Sequence, residues 1–232
     1  AVTGVQTCAL PISFPGVLWT SDRFRKKECV ECHEDLKSRV PSRDAHRPFE
    51  DEDCESCHDP HGVLGALNLK AEGKELCLGC HEDHEQKLEA SHLHPPVKQG
   101  DCLACHDPHG TGEKNLLRAA GDESCYACHD RAAMERANVH EPLGDEGCTV
   151  CHDPHGSETA GLLVQASPGL CLDCHGDRDG LREAHGGSEV AISDCTLCHD
   201  PHSSAEPALL LASVHAPVAE MECGTCHGVG ED

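Results

Sequence analysis

Nine times in 232 residues, two cysteines stand three positions apart and a histidine follows the second. The pairs are Cys29/Cys32, Cys54/Cys57, Cys77/Cys80, Cys102/Cys105, Cys125/Cys128, Cys148/Cys151, Cys171/Cys174, Cys195/Cys198 and Cys223/Cys226. The histidines that follow are His33, His58, His81, His106, His129, His152, His175, His199 and His227. Two thiols at this spacing can form thioethers to the two vinyl groups along one haem edge, and the adjacent histidine then falls beneath the iron as proximal ligand. Other chemistries fit less well. Zinc ribbons pair Cys-x-x-Cys elements but need no histidine after each, and nine is an odd number of half-sites. A thioredoxin-like pair occurs singly beside a βαβ pattern, which is absent here. A disulfide framework does not require histidine after every second cysteine. The pattern therefore predicts nine covalently attached c-type haems.

Twenty histidines are present, so eleven remain after the proximal nine. His61, His109, His155 and His202 close Asp-Pro-His turns. His46, His94, His140 and His215 lie eight positions before the first cysteine of a motif, and His185 lies ten before. Those nine are expected to be distal ligands, one for each iron. His84 and His92 are left over and are expected to be solvated side chains. Trans ligands on one iron need Cα atoms about 12 Å apart, from two metal–nitrogen bonds of about 2 Å and two side-chain lengths. Three residues span at most about 10.5 Å. His61 therefore cannot share an iron with His58, and the turn histidines should serve neighbouring haems. His46, His94, His140 and His185 follow His33, His81, His129 and His175 by ten to thirteen positions, and are expected to fold back over the same haem. Met134 and Met221 are the only methionines, so methionine ligation is at most marginal.

The elements that position these groups form a repeat. The intervals between successive motif starts alternate at first, longer then shorter, which marks a two-motif unit of about 47 residues. The first motif of each unit begins at Cys29, Cys77, Cys125 or Cys171. It leads into a charged, helix-favouring stretch: Glu34 to Arg39, Glu82 to Ala90, Asp130 to Asn138 or Asp177 to Ala184. The second begins at Cys54, Cys102, Cys148 or Cys195 and runs into Asp-Pro-His, a tight turn. A leucine-bearing link follows, at Leu64 to Leu69, Leu116 and Leu117, Leu162 and Leu163, or Leu209 to Leu211. After the motif at Cys195 a first-type motif is skipped, and the ninth motif ends His227-Gly228-Val229-Gly230 without Asp-Pro-His.

Three segments are expected. Residues 1–13 contain Val2-Thr3-Gly4-Val5-Gln6-Thr7-Cys8-Ala9-Leu10-Pro11-Ile12, which resembles the in-frame translation of a sequencing-adapter oligonucleotide. They are set outside the fold, and Cys8 then has no role; the alternative is a genuine tail with one free thiol. Residues 14–28 are irregular, and Trp19 and Phe24 are expected to pack on the first haem. Residues 29–232 form one multihaem domain.

Leu, Ile, Val and Phe make up only 42 residues, and the formal net charge is −24. That composition alone signals disorder. Bulky apolar groups tied to the chain must supply what its side chains cannot, so the haem-free chain is expected to be unfolded. The acidic balance excludes nucleic-acid partners, which demand basic patches, and disfavours anionic membrane surfaces. It points instead to redox partner proteins with basic docking surfaces and salt-sensitive association. No apolar run approaches the length of a membrane span.

These motifs, from Cys29 to His227, resemble the doubled Cys-x-x-Cys-His multihaem cytochromes, kin to the cytochrome c3/c7 class and to decahaem periplasmic cytochromes. The resemblance implies a mostly irregular, elongated array organised by haem, with short α-helices and little or no β-sheet. It implies bis-histidine irons and electron transfer in anaerobic or metal-linked respiration, in the periplasm or at the cell surface. It implies no catalytic residues. Two alternatives are kept. One is a nitrite, hydroxylamine or metal reductase with one open haem, the ninth being the candidate; the haem nitrite reductases carry Lys in place of a motif histidine, and none of these nine does. The other is a subunit of an extracellular cytochrome filament, or a conduit held in an outer-membrane barrel.

Overall fold

A computed structural model of the chain describes residues 28–39, 45–60, 68–145, 147–185, 194–213 and 216. Cys8, Trp19, Phe24, His61, His215 and the ninth motif with Cys223, Cys226 and His227 lie outside the described residues.

Every described motif is a single turn of helix. The N–H of each proximal histidine donates to the carbonyl of the first cysteine four residues back, at 2.9–3.1 Å in all eight. One turn is what places two thiols and an imidazole on the same side of the backbone. In the second-type motifs the turn is a 3₁₀ helix, at Cys54–Ser56, Cys102–Ala104, Cys148–Val150 and Cys195–Leu197. The first motif has the same form, at Cys29–Glu31. The other first-type motifs start within short α-helices.

The regular elements, in chain order, are α1 (Glu34–Lys37), α2 (Arg47–Glu50), α3 (Lys74–Leu78), α4 (Glu82–Lys87), β1 (His92–Leu93), α5 (Pro95–Lys98), α6 (Glu123–Tyr126), α7 (Arg131–Met134), β2 (Asn138–Val139), α8 (Glu141–Asp145), β3 (Gly156–Ser157), α9 (Gly169–Leu172), α10 (Arg178–Ala184) and β4 (Ser203–Ser204). The four helix-favouring stretches carry α1, α4, α7 and α10. Asp130 and Asp177 cap α7 and α10, their carboxylates accepting the N–H groups of Ala132 and Asp179 at 3.0 and 3.2 Å. Proline lies in the first turn of α2 (Pro48) and opens α5 (Pro95), where its missing N–H costs nothing. The chain is thus mostly irregular with short helices, as the resemblance implied.

Among the described residues the sheet consists of two antiparallel two-stranded pairs, β1 with β3 and β2 with β4. His92 lies opposite Ser157 and Leu93 opposite Gly156. Asn138 lies opposite Ser204 and Val139 opposite Ser203. Each pair ties the segment before a distal-type histidine to an Asp-Pro-His turn more than sixty residues on. The ladder runs on into the candidate ligands: the N–H of His94 donates to the His155 carbonyl at 3.3 Å, and that of His140 to the His202 carbonyl at 2.9 Å.

Among the described residues no hydrophobic side chain is buried; Ser203 and Ser204 are the buried polar ones. Local backbone bonds, two strand pairs and a few ion pairs are too little to offset the conformational entropy of so long a chain. The described residues fall into two compact units. One comprises Ala1–Glu85 with Lys98–Ser124, the other Gln86–Val97 with Cys125–Asp232.

Candidate functional site: opposed histidine pairs

Each second-type motif is followed by a loop that closes on its own histidine. His58, His106, His152 and His199 form backbone bridges with Leu69, Leu117, Leu163 and Leu210, eleven residues on. Two backbone bonds flank each bridge; around His152, Asp153 N–H donates to the Leu162 carbonyl at 2.8 Å and Val164 N–H to the Cys151 carbonyl at 2.9 Å. The leucine-bearing links are therefore loop clamps, which their spacing did not reveal. Inside the loop the chain adopts left-handed backbone at non-glycine residues: Asn115 and Leu116, Leu162, and Ala208 and Leu209. That conformation is costly for residues with a Cβ. It aims one carbonyl at the proximal ring. His106, His152 and His199 hydrogen-bond through Nδ1 to the carbonyls of Asn115, Gly161 and Ala208, each at 2.8 Å. An imidazole donating Nδ1–H to a carbonyl has its orientation fixed and leaves Nε2 as the ligand nitrogen, made more basic by the bond.

The distal-type histidines come to rest opposite these rings. His58 faces His109 with ring centres 6.0 Å apart and planes 15° apart. His152 faces His202 at 5.9 Å and 13°. Two of the turn histidines, His109 and His202, thus stand opposite the motif histidine of the preceding second-type motif rather than their own. His46 faces His81 at 6.0 Å and 17°, His94 faces His129 at 6.1 Å and 16°, and His140 faces His175 at 6.1 Å and 18°. This corrects the expectation that these three fold back over His33, His81 and His129. Each reaches thirty-five positions forward to the next first-type motif. The reason lies in the strand pairs: β1 and β2 hold the residues before His94 and His140 against turns far along the chain, which a fold-back would forbid. His185 also departs from its expected partner, His175; it meets His199 at 6.2 Å with planes at 88°. His33, His106 and His155 have contacts outside these six pairs. His84 and His92 are exposed, as expected, with the His84 ring edge-on to His81 at 5.9 Å.

The Asp-Pro-His turn braces both kinds of opposed histidine. Its proline carbonyl accepts a hydrogen bond from the ring of a forward-reaching histidine: Pro108 from His46, Pro154 from His94, and Pro201 from His140 at 3.0 Å. Its aspartate accepts the N–H of the turn histidine, at 3.0 Å for Asp107–His109, Asp153–His155 and Asp200–His202. The same carboxylate anchors a distant cation: Arg39 on Asp107 at 2.7 Å, Lys87 on Asp153 at 2.8 Å and Arg136 on Asp200 at 2.7 Å. Burial pushes these carboxyls up, but the cation and the histidine N–H outweigh it and hold all three below the usual carboxylate range. The three cations escaped sequence reading because their offsets from the aspartates differ. Burial lowers the pKa of His46, His94, His109 and His202, and the opposed imidazole adds to the effect. They therefore present neutral rings, the form that can donate a lone pair.

The first cysteines of neighbouring motifs come together. Cys29 and Cys54 are hydrogen-bonded, as are Cys77 with Cys102 and Cys171 with Cys195. The sulfurs of Cys125 and Cys148 lie within 4.8 Å of each other. Burial, then the neighbouring thiol, pushes Cys54 and Cys77 up to about 11, so both are protonated at neutral pH.

The two cysteines of a motif can differ in exposure. In the first-type motifs the second cysteines Cys80, Cys128 and Cys174 are exposed, while their first cysteines Cys77, Cys125 and Cys171 are half-buried. In the second-type motifs Cys57, Cys105, Cys151 and Cys198 are half-buried like their partners. In both kinds of motif the second cysteine closes the turn: the N–H groups of Cys80, Cys105, Cys128 and Cys198 donate to the carbonyls of Cys77, Cys102, Cys125 and Cys195 at 3.1–3.4 Å. The contact that involves a second cysteine on both sides is Cys57 with Cys80; burial, then the Cys80 thiol, pushes Cys57 up. The described motif cysteines, Cys80, Cys105, Cys128, Cys174 and Cys198 among them, carry no disulfide. Cys32 is the exception. It is disulfide-bonded.

The fit to haem can be judged from the rings. A metal held between the Nε2 atoms of two imidazoles separates their centres by about 6.2 Å, with about 2 Å for each metal–nitrogen bond and about 1.1 Å from nitrogen to ring centre. The six pairs lie at 5.9–6.2 Å, and each contains one motif histidine with two cysteines within its helical turn. A tetrahedral zinc site would not need two opposed imidazoles beside an idle thiol pair.

A family model described as the doubled CXXCH motif matches residues 46–86, 94–134, 140–180 and 188–214, well over half the chain. The first three spans each begin at a forward-reaching histidine and contain the motif histidine it faces: His46 and His81, His94 and His129, His140 and His175. No curated protein matches the chain.

Proposed function

Because the chain belongs to the doubled CXXCH motif family, that of multihaem c-type cytochromes, we propose that it carries electrons along nine bis-histidine haems. The single observation that supports this most is the set of opposed imidazoles, each pair spaced to hold one iron. Bound haem iron supplies one-electron exchange. The chain's residues do the rest. Eighteen motif cysteines would tether the groups. The nine motif histidines would hold the irons together with His46, His61, His94, His109, His140, His155, His185, His202 and His215. Two neutral imidazoles give lower potentials than a histidine–methionine pair, which suits anaerobic or extracellular respiration. Irons closed on both faces exchange electrons but leave no position for substrate, which favours a carrier over a reductase. Neighbouring motifs whose first cysteines touch bring successive groups close, as conduction along the chain requires.

The net charge of −24 favours redox partners with basic docking faces, in the periplasm or outside the cell. No helix among the described residues is long and apolar enough to cross a membrane. A reductive titration followed in the Soret band tests the reading. It should consume nine electrons per chain, all at low potential. Uptake of far fewer electrons, or a large fraction at the high potentials typical of methionine ligation, overturns it.

A further inference from the structure

Five of the six pairs have planes within 18° of parallel, and one does not. His185 stands perpendicular to His199, at 88°. It is also out of register in sequence. The other forward-reaching histidines find a motif histidine thirty-five positions on; at that offset from His185 stands Glu220. The other second-type rings described in pairs, His58 and His152, are met by the turn histidine of a later second-type motif. The skipped first-type motif thus leaves His185 without its usual target, and it meets His199 across fourteen positions.

The supports differ as well. His140 is tied to another part of the chain through the β2–β4 pair, its N–H bond to His202 and its ring bond to Pro201. The His94 segment is tied likewise by β1–β3. The described hydrogen bonds of His185 all return to its own helix: N–H to the Leu181 and Arg182 carbonyls at 3.1 and 3.2 Å, and Nδ1 to the Leu181 carbonyl at 2.6 Å. In sequence it is followed by Gly186-Gly187 where His46, His94 and His140 have proline within two positions. Moving His140 off its partner breaks a strand pair. Among the described residues the hydrogen bonds of His185 lie within the seven-residue α10, so a tilt of that helix moves it without breaking a strand pair. Local opening is drawn from the segments with the fewest cross-chain ties.

We propose that His185 is the exchangeable axial ligand of the iron held at His199, and that a small neutral ligand such as carbon monoxide takes its place there. The exchange is one neutral donor for another, with no electron transferred. The inference rests on the haem reading above, and a haem count separates the two: fewer than nine haems by pyridine haemochrome would count against that reading itself. With nine present, the oxidised protein should show one highly anisotropic, large-g low-spin EPR signal of about one haem in nine, the mark of perpendicular imidazoles. The reduced protein should bind about one carbon monoxide per chain. His185→Ala should lose that EPR signal, still bind one carbon monoxide, and bind it faster because no ligand must leave. His185→Met, which keeps a ligand, should replace the signal by the long-wavelength charge-transfer band of methionine-ligated haem. Retention of the signal in both variants overturns the proposal. So does a wild-type protein that binds no carbon monoxide, or one whose single binding event accelerates in His215→Ala and not in His185→Ala.

Discussion

Removing His140 should open one iron, and the structure says which. The His140 ring faces His175 at 6.1 Å, while the nearer motif histidine in sequence, eleven positions back, is His129, which faces His94. His140→Ala keeps the N–H bond to His202 and the β2–β4 register, since both are backbone contacts. It deletes the ring bond to the Pro201 carbonyl, at a cost of about 1 kcal/mol, small enough for the chain to fold. The assay is carbon monoxide uptake by the dithionite-reduced protein, counted against total haem. His140→Ala should add one binding iron, a ninth of the Soret amplitude, to the parent value. In a His129→Ala background the same substitution should again add one, because the two residues serve different irons. In a His175→Ala background it should add none, because that iron is already open or absent. The reverse pattern, one added on His175→Ala and none on His129→Ala, would restore the fold-back pairing and refute the forward reach to the next unit.

Three further outcomes follow from the same contacts. Without haem the chain should give a circular dichroism spectrum of unfolded polypeptide, since no hydrophobic side chain is buried among the described residues; native-like helix signal in a haem-free preparation would contradict this. Asp200→Ala removes the acceptor of the His202 N–H and of Arg136. Because the Arg136 side chain is 43% exposed, solvent screens the ion pair to under about 1 kcal/mol, and with the lost N–H bond the total should be about 2 kcal/mol in a denaturant melt, against under about 1 kcal/mol for Arg136→Met. Gly156→Ala would place a methyl 2.8 Å from Leu93 Cδ2 and 3.0 Å from the Lys87 carbonyl, where the side chain can yield but the backbone resists. Overpacking of this kind costs about 1–3 kcal/mol, and it should loosen His94 from His129, read as new carbon monoxide uptake.

Much of the site was legible because covalent haem chemistry is local. Two thiols and an imidazole within one helical turn declare themselves without any knowledge of the fold. Of the nine further histidines that the repeat points to, His46, His94, His109, His140, His185 and His202 stand opposite a motif histidine. The reach limit placed His109 and His202 on other motifs than their own, and short helices were found at all four stretches after the first-type motifs. What could not be read is where the chain returns. The segment between a first-type histidine and the next distal-type one is long enough to fold back over its own haem, so His46, His94 and His140 looked self-sufficient. Only the strand pairs, two residues each and too short to leave an alternating pattern, commit them to the next motif. Hidden for the same reason were the leucine bridges behind the proximal rings, the cations Arg39, Lys87 and Arg136 on the turn aspartates, and the split between half-buried Cys77, Cys125 and Cys171 and exposed Cys80, Cys128 and Cys174. All depend on how segments whose local sequences carry no shared period come together. The abbreviated last unit was visible in the spacing, but its consequence, the perpendicular meeting of His185 and His199, required the fold.

The number of haems carried covalently by one chain tests the account most directly. The purified protein, unfolded and stripped of loosely held groups with acid acetone, should retain nine haems by pyridine haemochrome, with a mass increment of nine haems on the intact polypeptide. Haem that extracts into the acetone, a count well short of nine, or zinc in place of iron at the cysteine pairs would contradict it.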